Sequence, residues 1–166
     1  MLENLLQLVT QNAGNAIVNN NAIPNQHNDA AIQDVTQSIF NGLQQQVQSG
    51  NHQGLLSLLS GQSGVQGNPI VNAITQNAAG SLMQKFGVEN AAAQQAVQQL
   101  LPVVMNQLVS KTNNPQDNSF DIGGIVNSLT GGNVPGDLGG LVSQFTGGQQ
   151  QQGGGIMGAL GKLFGR

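Results

Sequence analysis

Aliphatic residues recur every three or four positions along most of this chain, separated by neutral amides, and that period constrains the fold more than any other feature. Between Asn28 and Ser49 the stripe is Ile32, Val35, Ile39, Leu43 and Val47. Between Asn68 and Phe86 it is Ile70, Ile74, Ala78, Leu82 and Phe86, and between Asn90 and Lys111 it is Ala93, Val97, Leu100, Leu101, Val104 and Leu108. The first segment contributes Leu2, Leu5, Leu6, Val9, Ala13 and Ile17. A spacing near 3.6 places each set on one face of a helix, whereas a half-buried strand needs a period of two. Asn is poor inside helices and good at their starts, so Asn28 and Asn90 are predicted N-caps. Asn41-Gly42 and Pro102 fall midway along two of these helices, and a kink or a break is expected near Pro102. The spacing predicts an all-α chain.

The placement of those weak points leads to an internal repeat. Ala30–Ser49 aligns without gaps on Ala91–Ser110, an offset of 61 (91 − 30), with Ile39 on Leu100, Phe40 on Leu101, Leu43 on Val104 and Val47 on Leu108. Upstream, Val9-Thr10-Gln11-Asn12-Ala13 matches Ile74-Thr75-Gln76-Asn77-Ala78, an offset of 65 (74 − 9), which fits an insertion around Asn25–Asn28. Residues 1–132 therefore read as a duplication of a long helix, a turn, a second long helix and a short glycine-bounded helix.

The short helix is itself repeated. Gly54–Gly61 is one copy, Asp121–Gly132 a second, Asp137–Gly148 a third, and Gly155–Gly165 a looser last one. In the middle two, apolar residues occupy i, i+3, i+4 and i+7, with Asp121 and Asp137 as predicted N-caps and a Gly pair as the stop. Helices of this length are unstable alone in water and must dock their stripe. Asn113-Asn114-Pro115, Asn133-Val134-Pro135-Gly136 and Gln149–Gly154 read as linkers between them. The expected fold is a small helical bundle over 1–112, built from the duplicated pair. Its halves are about 1–66 and 67–132 once the short helix of each is counted. A Gly/Gln-rich tail with three short amphipathic helices follows over 113–166.

Composition excludes several functions. The chain has four Lys and Arg against seven Asp and Glu, so the positive footprint of a nucleic-acid binder is missing. It has no Cys, hence no disulfide, thiolate zinc site or cysteine nucleophile. His27 and His52 read as exposed loop histidines, and no nucleophile–base–orienter set is recognisable. The glycines of Gly61–Gly67 lack the Lys-Ser/Thr and the preceding strand of a phosphate loop. No catalytic residue, cofactor or metal ligand is expected. No apolar run approaches the roughly 18–20 residues of a bilayer span, and the start of the chain lacks signal-peptide character, so a cytoplasmic location is the default.

The stretch Gln84–Pro102 carries a more specific pattern. A helix closes on Phe86-Gly87, the turn Val88-Glu89 follows, and an Ala/Gln-rich helix from Ala91 runs into Leu100-Leu101-Pro102, with Gly-Gly-apolar copies downstream. This resembles the YidB-like bacterial proteins and their relatives, a domain-of-unknown-function group, over about Asn68–Gly132. The N-terminal half departs from the pattern, with Ile23-Pro24-Asn25 in place of Phe-Gly-Val and Asn41-Gly42 in place of Leu-Leu-Pro. The resemblance implies a small helical domain, sometimes described as homeodomain-like. It implies no activity and no catalytic residues.

The surface left by these assignments is unusual, because 25 Gln and 20 Asn supply polarity that charge normally supplies. Neutral amides meet like faces without charge repulsion. The expected function is therefore non-catalytic: a structural or scaffolding protein that self-associates, its short apolar helices docking into helical grooves of its own bundle or of a second copy. The expected contact residues are Ile122, Ile125, Val126 and Leu129, then Leu138, Leu141, Val142 and Phe145. The alternative is a peripheral membrane or envelope-associated protein anchored by Gly155–Arg166, where Ile156, Leu160, Leu163 and Phe164 accompany Lys162 and Arg166.

Overall fold

The computed structural model describes residues 1–146, and every regular element among them is helical. In chain order they are α1 (Leu2–Asn12), α2 (Asn28–Gln48), α3 (His52–Leu59), α4 (Pro69–Phe86), α5 (Asn90–Thr112), α6 (Ile122–Leu129) and α7 (Gly136–Thr146). Short irregular turns lie at Gly14–Val18, Asn25–His27 and Asn118–Phe120. The expected helical bundle is what forms. The last copy of the short helix, Gly155–Gly165, lies outside the described residues.

The predicted stripes face one shared core. Every stripe residue named on α2 and α5 is buried, and on α4 only Phe86 stays half-exposed. On α1 the terminal Leu2 is exposed, and Leu8 joins Leu5 and Val9 inside. The four leucines of α3, Leu55, Leu56, Leu58 and Leu59, are fully sealed, while Gln53 faces outward, so this short helix is buried over most of its circumference. The same core continues through Ile122, Ile125, Val126 and Leu129 of α6 to Leu138 of α7, so no break in it marks residue 113.

Several local expectations are corrected. The first stripe does not make one long helix: α1 stops at Asn12, and a wide turn follows in which the Val18 amide donates to the Ala13 carbonyl, five residues back. The turn still sends Ala13, Ala16 and Ile17 inward. Asn28 and Asn90 are the first residues of their helices, not caps; the flanking positions are His27 and Glu89. The side chain of Asn28 instead donates to the Val18 carbonyl, and that of Asn90 accepts from Gln94. The capping asparagine is Asn68, whose Oδ1 accepts from the Ile70 amide at 2.9 Å, with Pro69 at the favoured first position.

Helix α5 does not break at Pro102 but runs unbroken from Asn90 to Thr112. The carbonyl freed by proline is that of Gln98, an exposed residue on the same outer face, while Leu100, Leu101, Val104 and Met105 hold the inner face in the core. Nor does Asn41-Gly42 interrupt α2. A Cβ at Gly42 would stand 2.3 Å from Ile74 Cγ1, so the missing side chain is what allows α2 and α4 to approach.

Candidate functional site

The eight expected contact residues divide into two groups. The Oδ1 of Asp121 accepts from the Gly124 amide at 2.7 Å, the cap its position predicts, and starts α6 with its stripe aimed at the body. Ile122, Ile125, Val126 and Leu129 are all buried there, and the Leu129 carbonyl accepts from Gln44 on α2 at 3.1 Å. Gly131 and Gly132, at φ 63° and 90°, end the helix in the left-handed region. Helix α7 then packs against α3 and α6, but only Leu138 is sealed. Leu141, Val142 and Phe145 touch the core and remain partly exposed.

Two polar residues hold the start of α7, and both depart from expectation. Asp137 is the second residue of α7, not its cap. His52 is not an exposed loop histidine: it opens α3, is 8% exposed, and places Nδ1 2.9 Å from Asp137 Oδ2 and Nε2 3.0 Å from the Val47 carbonyl oxygen. Desolvation pushes the Asp137 carboxyl up, but the Leu138 amide and the His52 ring outweigh it and leave it below the ordinary carboxylate range. A groove of about 480 Å³ runs beside this pair, lined by Gln44, Val47, Gln48, Leu129, Thr130 and Pro135. His27, also expected to be exposed, is half-buried, with its ring 5.7 Å from that of Phe86.

Asp34 and Asp117 are engaged in ion pairs. Asp34 is buried on α2 and pairs through Oδ1 with Lys85 of α4, while its Oδ2 is buried without a hydrogen-bond partner. Asp117 accepts from Lys111 at 2.8 Å, and that bond, with those to Ser119, lowers its pKa to about 2. Among the described residues no three His, Asp or Glu side chains gather where they could hold a metal. Amides join distant elements instead. Asn12 and Gln107 exchange two hydrogen bonds, 3.1 and 2.9 Å, between α1 and α5. Asn113 donates to the Leu59 carbonyl. A second groove of about 380 Å³ between α4 and α5 is lined by Asn72, Thr75, Gln76, Gln94, Gln98 and Pro102.

A family model described as "Bacterial protein of unknown function (DUF937)" matches residues 68–166. The chain belongs to this family. The matched region opens at the Asn68 cap of α4 and takes in α5, α6 and α7, so the contact residues lie within it, while His52 lies outside it. No curated protein and no solved structure matches the chain. Among the described residues no helix is long and apolar enough to cross a membrane.

Proposed function

We propose that this protein is a non-catalytic scaffold that associates with further copies of itself through α7. The observation that carries this reading is the contrast between the two repeated helices. Both present four apolar residues at the same spacing; α6 seals all four against its own body, and α7 seals one. The edge formed by Leu141, Val142 and Phe145 is where a second copy would add buried area. Two features favour a like partner. The net charge is only −3, so copies approach with little repulsion. The reciprocal Asn12–Gln107 pair is an instance, within the chain, of amide faces joining helices without charge. The engagement of Asp34, Asp117, Asp121 and Asp137 in pairs and caps supports a non-catalytic role. The YidB-like resemblance and a cytoplasmic setting belong to the same proposal.

The test leaves α6 intact, because its stripe is part of the core. Leu141→Asp with Phe145→Asp is compared with the parent chain by light scattering over a concentration series. The reading expects the parent's mass to rise with concentration and the variant's to rise less, with helicity retained. A parent that stays monomeric throughout discards it.

A further inference from the structure

Both ring nitrogens of His52 face hydrogen-bond acceptors. A backbone carbonyl only accepts hydrogen bonds, and so does an ionised carboxylate. Nε2 lies 3.0 Å from the Val47 carbonyl oxygen and Nδ1 2.9 Å from Asp137 Oδ2. A neutral imidazole has one N–H and serves one of these partners, leaving a ring lone pair facing the other oxygen. Only the imidazolium donates to both. The Asp137 side chain is 68% exposed, and water access keeps it ionised.

We propose that His52 is a proton-operated latch: its imidazolium holds α7 on the body, and loss of that proton loosens α7. The attachment of α7 is slender enough for one ring to matter. It follows the body through Gly131-Gly132-Asn133-Val134-Pro135, its sealed anchor is Leu138, and Asp137 is the adjacent residue. The charges on neighbouring elements are occupied elsewhere. On α2, Asp34 pairs with Lys85 of α4 and lies, like Asp29, more than three turns before Val47. On α5, Lys111 pairs with Asp117, and Asp121 caps α6. Neither α3 nor α7 carries another titratable side chain. Docking favours the ring that donates from both nitrogens, so it is strongest at low pH and weakens as pH rises. What a loosened α7 then meets rests on the self-association proposed above; the latch itself does not.

The test is amide hydrogen exchange of the full chain at low, fixed concentration, read as protection factors corrected for the intrinsic pH dependence of exchange. Between about pH 5.5 and about pH 8, protection in Gly136–Phe145 is expected to fall about tenfold, the scale of one charge-assisted hydrogen bond. Protection in the α4–α5 core is expected to stay level. Asp137→Asn is the second arm. Its amide donates to an unprotonated Nδ1 while Nε2–H serves Val47, an arrangement suited to the neutral ring, so the trend flattens or reverses. Protection of α7 that is the same at both pH values in the parent, or a parental trend that survives Asp137→Asn, overturns the latch. Mass by light scattering is recorded separately, so the latch fails or stands independently of self-association.

Discussion

At the scale of single residues, two helical glycines separate a packing requirement from a propensity cost. Glycine in a helix interior costs about 0.5–1 kcal/mol relative to alanine. At Gly80 a Cβ would meet nothing within 4 Å, so Gly80→Ala should stabilise the fold by about that amount. At Gly42 the same atom would collide with Ile74 Cγ1, which lies near the backbone and cannot swing away as a chain end does. Overpacking of this kind costs about 1–3 kcal/mol and outweighs the helix gain, so Gly42→Ala should destabilise by about 1–2 kcal/mol. Urea unfolding of the two variants reads opposite signs; a shared sign contradicts the packing argument. Asp117 supplies a pH-dependent counterpart. Its pKa is lowered to about 2 by Lys111 and Ser119, so its contribution is complete above the ordinary carboxylate value and lost as pH falls towards 2. A carboxyl chemical-shift titration should find its midpoint near 2; a midpoint near the ordinary value of about 3.9 means the pair is not formed.

At the scale of elements, equal sequence patterns meet unequal environments. The stripes of α6 and α7 are near copies, yet Ile125 is sealed and Leu141 is not. Ile125→Ala should therefore cost about 2–4 kcal/mol, as deletion from a packed core does, and Leu141→Ala less than about 1 kcal/mol. Comparable losses in thermal unfolding would show that α7 belongs to the core as fully as α6. This difference was not legible in the sequence, because period and capping report which face is apolar and not how much partner surface awaits it. The stripes of α2, α4 and α5 were legible for the same reason, since each is long enough for a 3.6 period to exclude the alternatives. The two helix starts were missed by one residue because Asn28 and Asn90 found other partners, in Val18 and Gln94. His52 was missed because its partner Asp137 is 85 residues away, and a local reading sees only a polar residue beside Gly50-Asn51. The one available signal was the Gly-bounded leucine run that follows His52, which places it at the start of a largely buried helix.

At the scale of the whole molecule, several contacts between helices fall in matching pairs. Exchanging α1 with α4, α2 with α5 and α3 with α6 carries the α1–α2 contact onto α4–α5, α1–α5 onto α4–α2, and α2–α6 onto α5–α3, all of which are present. We propose that these pairs reflect the duplication expected from the offsets of 61 and 65, a reading in which α7 has no counterpart. The body seals the apolar face of α6, and α7 is the helix left at the edge. An amide-covered, weakly charged surface then permits a second copy to approach that edge. The most direct measurement is hydrogen exchange of the full chain at low and at high concentration, at one pH. Self-association through α7 predicts added protection at high concentration, concentrated in Gly136–Phe145. No change in that segment while the mass of the particle grows, or protection gained on another face alone, would contradict it.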